Sequence, residues 1–127
     1  MAVRTSEDEH RAPFALRRTA RTPHKPLSAR TDHELMAGVA QGDAQAFGQV
    51  YDRFGPKAYG LALRVLRDRE LAEDAVQEAF LSVWRSAPRF DMRRGPAHAW
   101  VLMLVHRRAV DLVQRTQRQR DHANRSA

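Results

Sequence analysis

The sequence contains no cysteine, which excludes disulfide bonds, thiolate metal sites and cysteine nucleophiles. Lysine is nearly absent as well, because 20 of the 22 basic residues are Arg, whose planar guanidinium fits phosphates and base edges. Long apolar runs are missing. The longest, residues 99–105, is far shorter than the roughly 20 residues that cross a bilayer, and residues 1–30 lack the apolar stretch of a secretory signal. We therefore expect a cytoplasmic protein.

Charge is distributed unevenly along the chain. Residues 31–84 hold five basic and nine acidic side chains, whereas residues 85–127 hold ten basic and three acidic ones. Two surfaces of opposite charge indicate two partners, and the basic surface is expected to bind nucleic acid. The plainer alternative is that the high isoelectric point reflects only solubility or the codon bias of a genome.

The chain divides into three predicted parts. Residues 1–30 contain three prolines, seven basic side chains and few large apolar residues, which predicts a disordered basic tail. Residues 31–120 form the folded domain, and residues 121–127 a polar tail or the start of an interdomain linker. A Glu-x-x-His spacing at residues 7–10 is interpreted as a chance match, because a metal site needs further ligands on packed helices.

Apolar residues recur at three-and-four spacing, which predicts an all-α fold, a small bundle of about four helices. Gly55 and Pro56 predict a kink or a break within the second helix. The predicted helices are a short one capped by Thr31 or Asp32 and ended at Gly42, 44–66 capped by Asp43, 69–87 capped by Asp68, and 97–120.

One side of the third helix is polar and is predicted to lie outside the buried stripe. It carries acids, an amide and apolar side chains at helical spacing, namely Asp74, Gln77, Glu78, Leu81 and Trp84. This mixture suits an interface with a basic partner, in which Trp84 is an exposed anchor. The alternative is a solvated helix face with Trp84 tucked under the following loop.

The loop after the third helix and the start of the fourth combine basic and aromatic side chains: Arg89, Phe90, Arg93, Arg94, His98 and Trp100. Arginines neutralise phosphates and aromatic rings stack on unpaired bases, so this cluster predicts capture of a single strand. The basic side continues along the helix through Met103, Arg107, Arg108, Gln114, Arg115 and Arg118. In the alternative interpretation, Phe90 and Trp100 fill the core and the arginines are simply solvated.

The sequence contains no pattern typical of an enzyme. It has no Gly-rich phosphate loop and no nucleophile beside a base, and the adjacent carboxylates Glu73 and Asp74 lie on a helix surface. His98 and His106 are about two helical turns apart, too far to share a metal. We expect a non-enzymatic protein without cofactor or metal.

Three segments resemble domain 2 of the bacterial sigma-70 family, in particular its extracytoplasmic-function (ECF) group. They are DAVQEAFLSVW at 74–84, FDMRRG at 90–95, and AWV at 99–101 continuing to RRAVD at 107–111. The match extends from about residue 32 to residue 120 in the same order and spacing. It implies a helical sigma domain that docks on the clamp helices of the RNA polymerase β′ subunit and recognises the promoter −10 element.

The resemblance also implies roles for residues. Asp74, Gln77, Glu78 and Trp84 match contacts to core polymerase, with Leu81 on the same face. The loop at 89–95 matches a specificity loop that forms a pocket for a base flipped from the non-template strand. The positions that match the segment melting and reading the −10 element are His98, Trp100, Met103, Arg107, Arg108 and Asp111.

The chain departs from this family at two places. Many members carry Asn near residues 106–108, where this chain has His-Arg-Arg, so the promoter sequence stays open. The helical domain that reads the −35 element has no counterpart after residue 120, so we expect a fragment or a shortened gene product. An anti-sigma factor is a further partner that the family allows. The alternatives are an interaction module that binds the polymerase or an anti-sigma factor without reading DNA, and a generic basic DNA binder.

Overall fold

The helices follow the predicted order. The computed structural model describes residues 26–126, which contain helices α1 (Asp32–Ala40), α2 (Ala44–Leu66), α3 (Arg69–Ser86) and α4 (Ala97–Ser126). Short 3-10 turns precede α1 at Leu27–Ala29 and connect α3 to α4 at Ala87–Arg89 and Met92–Arg94. Since no strand occurs between residues 26 and 126, the predicted all-α bundle of about four helices is confirmed.

Each of the first three helices begins at a predicted cap. Thr31 Oγ1 accepts a hydrogen bond from the Glu34 amide at 3.1 Å, and Glu34 Oε1 accepts one from the Thr31 amide at 2.8 Å. Asp43 caps α2 and Asp68 caps α3 in the same way, each accepting from backbone amides of the first turn. Such a cap stabilises a helix by about 1 kcal/mol, and these local signals therefore fix where the helices start.

Helix α2 continues through Pro56, so of the predicted kink or break the break does not occur. Proline removes the hydrogen bond to the carbonyl one turn earlier, which belongs to Asp52. Both Pro56 and Asp52 are exposed, so water can satisfy that carbonyl without disrupting the helix.

The core lies where the inward faces of the four helices meet. Phe47 of α2 is at its centre, with its ring edge-on to Phe80 at 6.3 Å and to Trp84 at 5.3 Å. Val101 and Val105 of α4 are fully buried and close the core from the other side. Burying each large side chain contributes about 1.5–3 kcal/mol, so this cluster holds α2, α3 and α4 in a fixed arrangement.

Both ends of the described segment differ from the predicted boundaries. Arg53 Nη2 donates to the carbonyls of Leu27 at 3.2 Å and Ser28 at 3.0 Å, and its Nη1 donates to Asp32 at 3.0 Å. Leu27 and Ser28, which fall within the predicted tail, therefore contact α2. Residues 1–25 of that predicted tail, with the Glu-x-x-His spacing, lie outside the described residues. Helix α4 continues to Ser126 instead of ending at residue 120.

The far end of α4 extends away from the core. Every residue from 117 to 125 is exposed, so packing does not hold this part of the helix. Across residues 26–126, no helix has both the length and the apolar content that a bilayer span requires.

Candidate nucleic-acid interface and the adjoining acidic face

The polar side of α3, here called the acidic face, consists of Asp74, Gln77, Glu78 and Leu81. Asp74 and Gln77 are exposed, whereas Glu78 and Leu81 are half-buried. Within residues 26–126, neither Asp74 nor Gln77 has a hydrogen-bond or ion-pair partner, so both are available to another molecule. The structure thus brings these four predicted residues together on one surface.

The prediction that Trp84 is an exposed anchor is wrong. Its side chain is 1% exposed and packs edge-on against Phe47 of α2. Trp84 lies one turn beyond Phe80, at the margin of the buried stripe of α3, so helical spacing alone does not decide on which side it falls. The indole is covered because α2 packs over this end of α3, which is a tertiary contact.

Two adjoining cavities between α2 and α3 were not predicted. They measure about 580 and 550 Å³ and share Tyr51, Asp52 and Gln77. Tyr51 of α2 lies between these cavities, 37% exposed and with its ring 4.6 Å from that of Phe80. A possible sequence signal was the occurrence of an acid, Asp52, directly after a tyrosine of the apolar stripe.

An aromatic pocket forms where the loop meets α4. The Phe90 ring lies 5.2 Å from the Trp100 ring and 5.9 Å from the His33 ring of α1. Phe90 and Trp100 are half-buried, so each is anchored in the bundle while part of it stays accessible. The pocket measures about 320 Å³ and is lined by Arg89, Phe90, Asp91, Arg94, Gly95, Pro96, Ala99, Trp100 and Met103.

Asp91 shapes this loop and was not among the predicted site residues. Its carboxylate accepts from the Arg93 amide at 3.0 Å and from Arg93 Nε at 3.2 Å. Hydrogen bonds from the Arg93 side chain and backbone, with the charge of Arg94, hold the pKa of Asp91 below its usual value, although burial acts in the opposite direction. Gly95 follows at φ +144°, a conformation that favours glycine. An Asp two residues before an Arg at a turn start was the available signal.

The predicted basic residues fall into two groups. Arg89, Arg94, His98 and Arg107 are exposed and, within residues 26–126, form no salt bridge. Arg93 and Arg108 instead pair with carboxylates. Arg93 binds Asp91 and does not line the pocket.

Arg108 connects the acidic face to α4. Its Nε lies 3.2 Å from Glu78 Oε2 of α3, and its Nη1 lies 3.4 Å from Asp111 Oδ2. Asp111 also accepts from Arg115 Nη2 at 3.1 Å. Arg107 points elsewhere, with its Nη2 3.9 Å from Met103 Sδ. Two residues predicted for different partners, Glu78 and Arg108, are thus in direct contact.

Between residues 26 and 126, no three His, Asp or Glu side chains converge as a metal site would require. Glu73 and Asp74 are both exposed on α3. The arrangement offers charged, amide and aromatic surfaces for recognition.

Comparison with known proteins identifies similar chains. The family described as sigma-70 region 2 matches residues 50–119, more than half of the chain. The ECF RNA polymerase sigma factor SigK of Mycobacterium tuberculosis (strain H37Rv) is 48% identical over 79 residues, which are 62% of this chain and 42% of the relative. The SigK proteins of Mycobacterium bovis (strain AF2122/97) and Mycobacterium sp. (strain KMS) match over the same length, at 48% and 47% identity and 42% and 41% of the relative. The chain therefore spans less than half the length of these curated relatives.

Proposed function

The chain belongs to the sigma-70 region 2 family, and from that premise we propose that it acts as domain 2 of an ECF sigma factor. In this role it binds core RNA polymerase through the acidic face and promoter DNA through the aromatic pocket and α4. The observation that carries the proposal is that residues 50–119, the family match, include both surfaces on one rigid bundle. The named relatives are RNA polymerase sigma factors.

The acidic face is the proposed docking surface for the clamp helices of β′. Asp74 and Gln77 are exposed and without partners among the described residues, and Leu81 adds an apolar contact one turn beyond Gln77. Charges of this kind set orientation and association rate, while the apolar contact contributes affinity. Trp84 takes the role of a buried support, because its indole packs beneath this face instead of reaching a partner.

The aromatic pocket is the proposed site for a base flipped from the non-template strand of the −10 element. Phe90 and Trp100 offer partly exposed rings, and Arg89 and Arg94 at the rim neutralise phosphates. Stacking contributes about 1–3 kcal/mol per base, and unpairing a base costs a few kcal/mol. Stacking and phosphate contacts together therefore offset the cost of opening the duplex.

The remaining predicted DNA residues extend this site along α4. Met103 lines the pocket and Arg107 lies one turn further along α4, and both are exposed, whereas His98 is exposed in the first turn of α4 and does not line the pocket. Arg93 stays at the edge of the loop in its ion pair with Asp91. Arg108 and Asp111 form an ion pair with each other. We therefore propose that each holds the other side chain in place on α4, in addition to contacting DNA.

This function requires binding energy and no covalent step, so the proposed protein is not an enzyme. It acts in the cytoplasm, where core polymerase and promoter DNA are found. An anti-sigma factor is a further proposed partner, since a protein that covers the acidic face would keep the polymerase away. Nothing in the comparisons favours the alternative of an interaction module that does not read DNA.

The test is a two-part binding measurement with the full chain. Labelled chain is first titrated with core RNA polymerase, and the complex is then titrated with a pool of single-stranded oligonucleotides from which bound sequences are recovered. We expect a stable complex and enrichment of a −10-like motif that is lost when Arg94 and Trp100 are replaced. Absence of polymerase binding contradicts the proposal, and polymerase binding with no effect of these replacements indicates the interaction module.

A further inference from the structure

The Glu78 carboxylate faces two directions. Its Oε2 is buried, 3.2 Å from Arg108 Nε, and among the described residues it has no well-aligned hydrogen bond. The side chain as a whole is nevertheless 44% exposed. One oxygen is therefore engaged inside the protein by charge alone, while the rest of the group stays accessible on the acidic face.

Arg108 is held by two carboxylates. Besides Glu78, its guanidinium contacts Asp111, and only 33% of the Arg108 side chain is exposed. The neighbouring Arg107 is exposed and, within residues 26–126, has no acidic partner. In the isolated chain the charge of Arg108 is thus largely neutralised, and a phosphate would have to compete with Glu78 for it.

We propose that the Glu78–Arg108 ion pair couples polymerase binding to DNA binding. A cationic side chain of the polymerase that approaches the exposed part of Glu78 weakens the hold of this carboxylate on Arg108. Arg108 can then turn toward a DNA phosphate. This inference rests on the proposed function, because it requires that the acidic face and α4 bind those two partners.

Linkage makes the coupling reciprocal. If bound polymerase raises the affinity for DNA by some factor, bound DNA raises the affinity for polymerase by the same factor. Because the pair is partly exposed, the expected factor is small, about two- to fivefold.

A simpler role for Glu78 has the opposite consequence. If Glu78 only aligns Arg108 for contact with DNA, its removal lowers DNA affinity. If Glu78 competes with DNA for Arg108, its removal raises DNA affinity. The sign of the effect in the free chain therefore separates the two roles.

The experiment measures binding of a fluorescent single-stranded oligonucleotide, with the −10-like sequence recovered from the pool described above, to the free full chain with Glu78→Gln. Glu73→Gln is the matched control, because Glu73 is an exposed acid of α3 without a basic partner in the described part of the chain. We expect Glu78→Gln to bind about two- to fivefold more tightly than this control. The salt dependence should steepen as well, by about 0.7 in log–log slope for one gained phosphate contact.

A second variant tests whether the gain in DNA affinity depends on Arg108. In an Arg108→Gln background, Glu78→Gln should give no gain over Glu73→Gln, as a double-mutant cycle shows directly. At saturating polymerase, the gain should shrink because Arg108 is already released. Thermal unfolding of each variant verifies that the bundle is folded.

The outcomes are distinguishable. Equal affinity of Glu78→Gln and Glu73→Gln, a lower affinity of Glu78→Gln, or a gain that persists without Arg108 overturns the coupling alone, provided that the chain binds polymerase and DNA. A chain that binds neither partner overturns the proposed function and the coupling with it.

Discussion

The Phe90 ring is held 5.2 Å from the Trp100 ring, at an interplanar angle of 44°. This contact joins the loop between α3 and α4 to the first turn of α4, and it forms one wall of the pocket. Rings that are held by packing against each other lose little freedom when a base stacks on them, so in the proposed function most of the stacking energy offsets the cost of opening the duplex.

The first prediction concerns Trp100. Trp100→Ala should weaken binding of the single-stranded −10 oligonucleotide by about 1–3 kcal/mol, because one stacking surface is lost. Trp100→Phe keeps an aromatic ring and should retain most of the affinity. Fluorescence anisotropy measures both. Equal loss in the two variants would indicate that the pocket collapses and that stacking is not the cause, which a thermal unfolding curve of each variant would reveal.

The second prediction separates support from contact at Trp84. Trp84→Ala should lower the free energy of unfolding by about 3–5 kcal/mol, since the side chain is 1% exposed and its loss leaves a cavity beside Phe47. Urea denaturation measures this change, and Trp84→Phe is the milder control. If Trp84→Ala leaves the stability unchanged but abolishes binding to polymerase, Trp84 contacts the polymerase directly and is not a buried support.

The third prediction tests the acidic face. Asp74→Lys combined with Gln77→Ala should weaken association with core polymerase, because both side chains are exposed on the face that we propose to dock on a basic surface of the polymerase. Stability should change little at these surface positions. Asp121→Lys, the same charge reversal at an acid on the exposed end of α4, is the control for the change in net charge. Biolayer interferometry with immobilised polymerase measures the affinities. Equal affinity of the wild type, the double variant and the control would show that the acidic face is not the docking surface.

The fourth prediction follows from the pKa of Asp91, which Arg93 lowers in the folded chain. A depressed carboxyl pKa contributes stability above the pKa of the unfolded chain, and this contribution is lost as the pH falls through the folded value. Asp91→Asn should therefore be less stable than the wild type at pH 7. The two proteins should converge as the pH falls below about 3.8, the ordinary value for this group. Thermal unfolding at pH 7 and at pH 3 measures the difference, and a constant difference would exclude ionisation as the cause.

Local signals made the helix starts predictable. Thr31, Asp43 and Asp68 each bond to amides within three residues, so the sequence around each cap contains the whole interaction. The loop aromatics were predictable as a cluster for the same reason, since Phe90 and Trp100 are close in sequence as well as in space. The family resemblance predicts domain 2 of an ECF sigma-70 factor, and the comparisons confirm this family.

Features that depend on packing between distant segments were not predictable. Trp84 is buried by Phe47 of another helix, and Arg108 pairs with Glu78 of α3 although both belong to polar helix faces. Periodicity assigns a residue to one side of its own helix, and the neighbouring helix decides whether that side is covered. The charge pattern therefore predicts α3 and α4 as separate surfaces, although Glu78 and Arg108 join them.

The fifth prediction compares two adjacent arginines. Arg94 lines the aromatic pocket and, within residues 26–126, forms no salt bridge, whereas Arg93 is bound to Asp91 and does not line the pocket. Arg94→Ala should weaken binding of the −10 oligonucleotide more than Arg93→Ala, and it should reduce the salt slope by about 0.7 for one lost phosphate contact to a single strand. Titrations at several salt concentrations measure both quantities. Because the two substitutions remove the same charge one residue apart, equal effects would mean that the loop attracts DNA only through its net charge and that the pocket does not select a phosphate position.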